Sequence, residues 1–149
     1  MTGMRIALSM YRYIPSEQEM FMQNPTILAV DDQGHIRQML TVALELCGYR
    51  VVTARDGVDA LKQLSENSID LLLTDWSMPT MNGAELVRHI NTDHPDLPVI
   101  VVSCHEEKEC IESSQLSIHN WLQKPFGIRE IQTLVSSTLN DLALNSAHA

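Results

Sequence analysis

With 149 residues, 44% of them hydrophobic, the chain is long enough for one domain with a real core and too apolar for a disordered segment. Ten Lys plus Arg against 19 Asp plus Glu give a formal net charge of -9, which argues against nucleic acid as a direct partner bound through clustered phosphate contacts. No apolar run approaches the roughly 18 residues of a membrane span, and three cysteines without a C-x-x-C pair read as reduced thiols in an intracellular, cytoplasmic protein.

Residues 1–25 stand apart. Met1 to Met22 holds five methionines, Tyr11, Tyr13 and Pro15 with no sustained period. Two readings stay open: an extension outside the domain, partly disordered, or translation from Met20 or Met22. Arg5 precedes only a short, broken apolar patch, unlike a secretory signal. Regular patterning begins at Thr26. A strand over 26–31 leads to a helix over 34–47, with Ile36, Leu40, Ala43, Leu44 and Cys47 on one face and Gly48 as its stop. A short strand, 50–55, precedes a helix opened by Asp56-Gly57 and ending near Glu66, with Val58, Leu61 and Leu64 inward. Strand 69–74 does not alternate, which suits a central strand buried on both faces. Asn82-Gly83 opens a helix ending near Asp93. Strand 99–103 is again continuous. A poorly apolar helix is predicted over 106–116, then a strand over 119–123 and an amphipathic helix over 127–142 bearing Ile128, Ile131, Leu134, Val135, Thr138, Leu139 and Leu142. The tail, 144–149, is expected to fray. Five strands alternating with five helices imply βαβ units, a parallel sheet and right-handed crossovers in one domain over 26–143.

The strand ends carry the chemistry. The first runs into Asp31-Asp32, the third into Asp75, the fourth into Ser103 and the fifth into Lys124-Pro125. In an open parallel sheet these ends share one rim, where ligands bind. A single Asp after a strand is ordinarily a turn or helix cap, Ser103 alone a loop residue and Lys124 a solvated amine. Their coincidence at four strand ends outweighs each bland reading. Two carboxylates about 4 Å apart repel by roughly 4 kcal/mol at an effective dielectric of about 20, so the acids call for a cation beyond Lys124. An all-oxygen set favours Mg²⁺ or Mn²⁺ over zinc, and Mg²⁺ is commonly shared with a phosphoryl group.

The set Asp31-Asp32, Asp75, Ser103 and Lys124-Pro125-Phe126, with Met78-Pro79 and Asn82-Gly83, resembles the receiver domain of two-component response regulators over about residues 26–142. The resemblance implies a flavodoxin-like (βα)5 doubly wound α/β fold with strand order 2-1-3-4-5. It implies that Asp75 accepts a phosphoryl group from a histidine kinase or histidine phosphotransfer protein. Asp32, Asp75 and the Ser77 backbone carbonyl would ligate Mg²⁺, with Asp31 reaching it mainly through water. Lys124 would pair with Asp75 or the phosphoryl oxygens, and Ser103 would donate its hydroxyl to the phosphoryl group. Ser103 and Trp121 would form the switch, and the Lys124–Pro125 bond is expected to be cis.

Departures are visible. Trp121 stands where Tyr or Phe is usual, Cys104 where a small Ala is usual, and Ser117-Ile118 where Gly-Ala is frequent. Ser77 and His105 occupy positions that tune dephosphorylation. The histidines form no metal-binding spacing, and His35, His89, His94 and His148 have surface roles by default. A haloacid-dehalogenase-type phosphohydrolase is disfavoured because Ser77, not a second Asp, lies two residues after Asp75. A nucleotide-binding domain is disfavoured because Asp31-Asp32-Gln33-Gly34-His35 has no glycine-rich cradle. The expectation is therefore a stand-alone, monomeric or weakly dimeric response regulator. Its only catalysis would be Mg²⁺-dependent modification and demodification of itself. A phosphorylation-independent interaction module and a phosphorelay intermediate are the alternatives.

Overall fold

Unbroken apolar runs such as Leu71–Leu73 and Val99–Val102 are stable only where both faces of a strand are covered, and they form the middle of a five-stranded parallel sheet. The computed structural model describes residues 24–104 and 115–147. The described strands are β1 (Thr26–Val30), β2 (Arg50–Ala54), β3 (Leu71–Asp75), β4 (Val99–Ser103) and β5 (Asn120–Gln123), and the helices are α1 (Gly34–Glu45), α2 (Gly57–Glu66), α3 (Gly83–Asp93) and α4 (Ile128–Ala147). The order across the sheet is β2-β1-β3-β4-β5, the expected doubly wound arrangement.

Every residue of β1, β3 and β4 is buried, and successive residues divide between two cores. Ile27, Ala29, Leu71, Leu73, Ile100 and Val102 pack with Leu40, Ala43 and Leu44 of α1 and Ile131 and Val135 of α4. Leu28, Val30, Leu72, Val99 and Val101 pack with Ala60 of α2 and Leu86, Val87 and Ile90 of α3. Burial of these side chains is the main stabilising term, about 1.5–3 kcal/mol for each large one.

Local chemistry sets the boundaries. Gly48, at φ 90°, turns the chain out of α1 while its amide and that of Tyr49 donate to Glu45 O (2.9 Å) and Leu44 O (3.2 Å), the two bonds of a Schellman ending. Cys47 falls in this exit and is exposed, not part of the buried face. The Asp56 carboxylate caps α2 by accepting the Asp59 amide at 2.8 Å. The helix then turns the small Gly57 and Ala60 inward, which leaves Val58 exposed against expectation. Ile128 is exposed as well, because the first turn of α4 precedes the part lying against the sheet. β3 starts at Leu71 and carries Asp75 as its last residue, and β5 starts at Asn120. α4 runs to Ala147, five residues beyond the expected end, because Leu142, Ala143 and Leu144 are good helix formers and no Gly or Pro stops them. The helix predicted over 106–116 and the readings of residues 1–23 lie outside the described residues, apart from Gln115 and Leu116, which are not helical.

Candidate functional site

The C-terminal ends of the parallel strands deliver Asp31, Asp75, Ser103 and Lys124 to one rim, as anticipated. Asp31 leaves β1 with its amide bonded to Ala54 O at 3.2 Å, and it is 2% exposed. Both of its carboxylate oxygens have donors: Oδ1 accepts the Gln33 amide at 2.9 Å and Oδ2 accepts Lys124 Nζ at 2.9 Å. The Arg37 guanidinium donates to the Asp31 backbone oxygen at 2.7 Å. No pattern in the sequence points to that contact. Asp32, next in the chain, is exposed.

Asp75 is buried at the end of β3; its Oδ2 accepts Lys124 Nζ at 3.3 Å and its Oδ1 accepts the Ser77 amide at a long 3.4 Å. Lys124 thus spans two acids, Asp75, the partner that the resemblance implied, and Asp31, which is nearer. The β4–β5 ladder sets its position: Ser103 lies opposite Gln123, and the Lys124 amide donates to Ser103 O at 2.7 Å. The Lys124–Pro125 peptide is cis, as expected. Ser103 is fully buried at the end of β4.

The loop from β3 to α3 is tightly built. The Gly83 amide donates to Trp76 O at 2.8 Å, and a β-carbon at Gly83 would collide with Asp75 O and lie 2.7 Å from Trp76 Cα. Only glycine allows α3 to start this close to the Asp75 backbone. The Met81 amide donates to Pro79 O at 2.8 Å across Thr80, whose φ is 69°, so the chain forms a γ-turn with a β-branched centre. Trp76 lies against Trp121, with ring centroids 5.4 Å apart and planes at 53°. Trp121 Nε1 is buried and has no hydrogen-bond partner among the described residues. This pair was not foreseen.

The electrostatics follow from burial. Desolvation raises the Asp75 pKa above 3.8; Lys124 works against the rise and the Asp31 charge adds to it. Burial also works against the Lys124 ammonium, but its hydrogen bond and attraction to Asp31, then those to Asp75, outweigh it and lift its pKa above 10.5. One oxygen each from Asp31, Asp32 and Asp75 lie within 4.8 Å of one another. Three carboxylates against one ammonium leave the cluster negative. An all-oxygen donor set with two buried members and one exposed fits a hard divalent cation that keeps part of its water shell. Asp31 holds its two donors at 2.9 Å whereas those of Asp75 lie at 3.3 and 3.4 Å, so Asp75 and the exposed Asp32 are the freer ligands.

Comparison with known proteins agrees with this geometry. A family model described as response regulator receiver domain matches residues 27–136. The chain is 34% identical over 121 residues to the phosphate regulon transcriptional regulatory protein PhoB of Pseudomonas aeruginosa, covering 79% of this chain and 53% of that protein. It is 35% identical over 120 residues to the DNA-binding transcriptional regulator NtrC of Escherichia coli, covering 80% of this chain and 26% of that one. The chain therefore spans between about a quarter and a half of these curated relatives. Among solved structures, the chemotaxis response regulator CheY4 of Vibrio cholerae superposes with a TM-score of 0.72 at 29% identity, covering 77% of this chain and 98% of that one. The response regulator TrrA of Thermotoga maritima, solved in complex with Mg²⁺ and BeF, gives 0.70 at 28% identity, covering 76% and 98%.

Proposed function

The chain belongs to the response regulator receiver family, and from that membership we propose that it accepts a phosphoryl group on Asp75 from a phosphohistidine donor and thereby changes a partner-binding surface. The convergence of Asp31, Asp32, Asp75 and Lys124 on one rim carries the reading. An Asp75 carboxylate oxygen attacks phosphorus in line; the O–P bond forms as the P–N bond to the donor histidine breaks. Burial makes this carboxylate a stronger base, and Lys124 works against the rise by favouring the ionised form. As charge shifts onto the phosphoryl oxygens, Lys124 follows it from Asp75 and retains Asp31 as its anchor. Asp32, Asp75 and the Ser77 carbonyl, with Asp31 through water, would hold Mg²⁺, which when bound neutralises phosphoryl charge. The Ser103 hydroxyl donates to the transferred group, and Trp121 repacks at β5.

Catalysis is confined to the chain's own modification. The partners are a histidine kinase or histidine phosphotransfer protein on one side and an effector on the other, in the cytoplasm. No helix among the described residues is long and apolar enough to cross a membrane. The net charge of -9 favours protein over DNA as what this surface meets.

The test is intact mass after incubation with Mg²⁺ and a small acyl-phosphate donor. One phosphoryl group is expected on the unaltered chain, and none on Asp75→Asn or in chelator. An unmodified chain, together with a flat beryllofluoride titration, would favour a phosphorylation-independent interaction module.

A further inference from the structure

We propose that Trp76 is a positioning residue that couples Asp75 to Trp121, so that the state of the acidic site reaches β5 through a tryptophan pair as well as through Ser103. The inference rests on the proposed phosphoryl chemistry at Asp75. Two independent observations carry it.

The first is the placement of Trp76. It directly follows Asp75, and its backbone has little freedom: its carbonyl accepts the Gly83 amide at 2.8 Å, and its Cα lies where a Gly83 side chain would come within 2.7 Å. A displacement of Asp75 or of the neighbouring Ser77 carbonyl therefore moves Trp76 as a unit. Its ring meets Trp121 at a centroid distance of 5.4 Å and a tilt of 53°, a favourable geometry for an aromatic pair. The path from Asp75 to the β5 edge is one peptide bond and one ring contact.

The second is the state of Trp121. Its indole N–H is buried and finds no acceptor among the described residues. An unpaired buried donor is costly and must be offset by packing. Trp121 packs in the core of α2 and α3, where Trp76 is its aromatic neighbour. The orphaned N–H supplies a standing reason to leave this arrangement, and the ring contact supplies the reason to stay. A side chain balanced in this way has two discrete arrangements, and whatever shifts Trp76 chooses between them.

The test uses the full chain with ¹⁵N-labelled tryptophan. There are two tryptophans, so Trp76→Leu and Trp76→Phe each leave a single indole signal, that of Trp121. Each protein is titrated with Mg²⁺ and beryllofluoride, and uptake is followed separately by the fluorine signal of the bound ligand. In the unaltered chain both indole signals are expected to move. Trp76→Phe, which keeps a ring against Trp121, should preserve the movement. Trp76→Leu should take up beryllofluoride while the Trp121 signal retains no more than roughly a third of its displacement. If Trp76→Leu fails to fold, Trp76→Met serves the same comparison. A Trp121 signal that follows uptake fully without a ring at residue 76, or that stays still in the unaltered chain once it has bound beryllofluoride, overturns the coupling and leaves the site chemistry standing. An unaltered chain with no fluorine signal of bound ligand overturns the phosphoryl reading and the coupling together.

Discussion

At Thr80 a β-branched residue holds a φ of 69° at the centre of the γ-turn, a rare and strained conformation for an L-residue and one that Gly adopts without a β-carbon clash. The residue is exposed, so little packing is lost by replacing it. Thr80→Gly should raise the unfolding free energy by about 0.5–1 kcal/mol, relief of the turn outweighing the extra freedom of glycine in the unfolded chain. The measurement is a urea midpoint shifted upward with an unchanged slope; a lower midpoint would mean that the threonine side chain contributes packing outweighing the backbone cost. The strain was not legible beforehand. Pro79 and Asn82-Gly83 announce a loop, but which residue takes the left-handed conformation depends on where α3 begins. That in turn is fixed by the approach of Gly83 to the Asp75 backbone. The acids themselves were legible, since each follows directly on an apolar run.

Among the elements, the central strands could be read because β1, β3 and β4 are buried on both faces and so nearly continuous in apolar residues. Helix phase was less secure. Val58 looks like a core residue by type, but the Asp56 cap turns Gly57 and Ala60 inward instead. The ring contact between Trp76 and Trp121 joins a loop residue just after β3 to a residue of β5, a separation that carries no sequence pattern, so only the fold brings it out. The approach to β5 depends on polar contacts that sequence also conceals. Asn91 of α3 accepts the Ser117 amide at 2.8 Å and donates to Ser117 O at 3.1 Å, clamping the segment that leads into the edge strand. Asn91→Ala should cost about 1 kcal/mol, since the site is partly exposed and water takes up some of the lost bonds. It should also speed amide exchange at Ser117 and through β5 more than in β1. Uniform acceleration across the sheet would show that the clamp has no local role.

For the molecule as a whole, the acidic rim trades stability for chemistry. Burial, aided by Asp31 and opposed by Lys124, makes the folded chain hold a proton on Asp75 more tightly than the unfolded chain does. Between 3.8 and the raised value the native state therefore binds more protons, and stability falls as pH rises through that window. In chelator, Asp75→Asn should be the more stable protein at pH 7, and its advantage should shrink as pH is lowered and vanish below about 3.8. Urea midpoints for the two proteins across the range decide it; parallel curves would mean that Asp75 titrates alike folded and unfolded. The position of Lys124 has a different kind of consequence. Its amide is the last rung of the β4–β5 ladder, donating to Ser103 O, so its reach to Asp31 and Asp75 is measured by strand register, not by the length of chain connecting the two strands. A slip of one residue would carry the ammonium about 3.3 Å along the sheet and turn its side chain to the other face. Loop closure is a weaker constraint by comparison, since doubling the length of a flexible connection costs only about 0.6 kcal/mol. The aim of the ammonium is thus a property of two paired strands, and a change that spares the ladder spares its reach to both carboxylates.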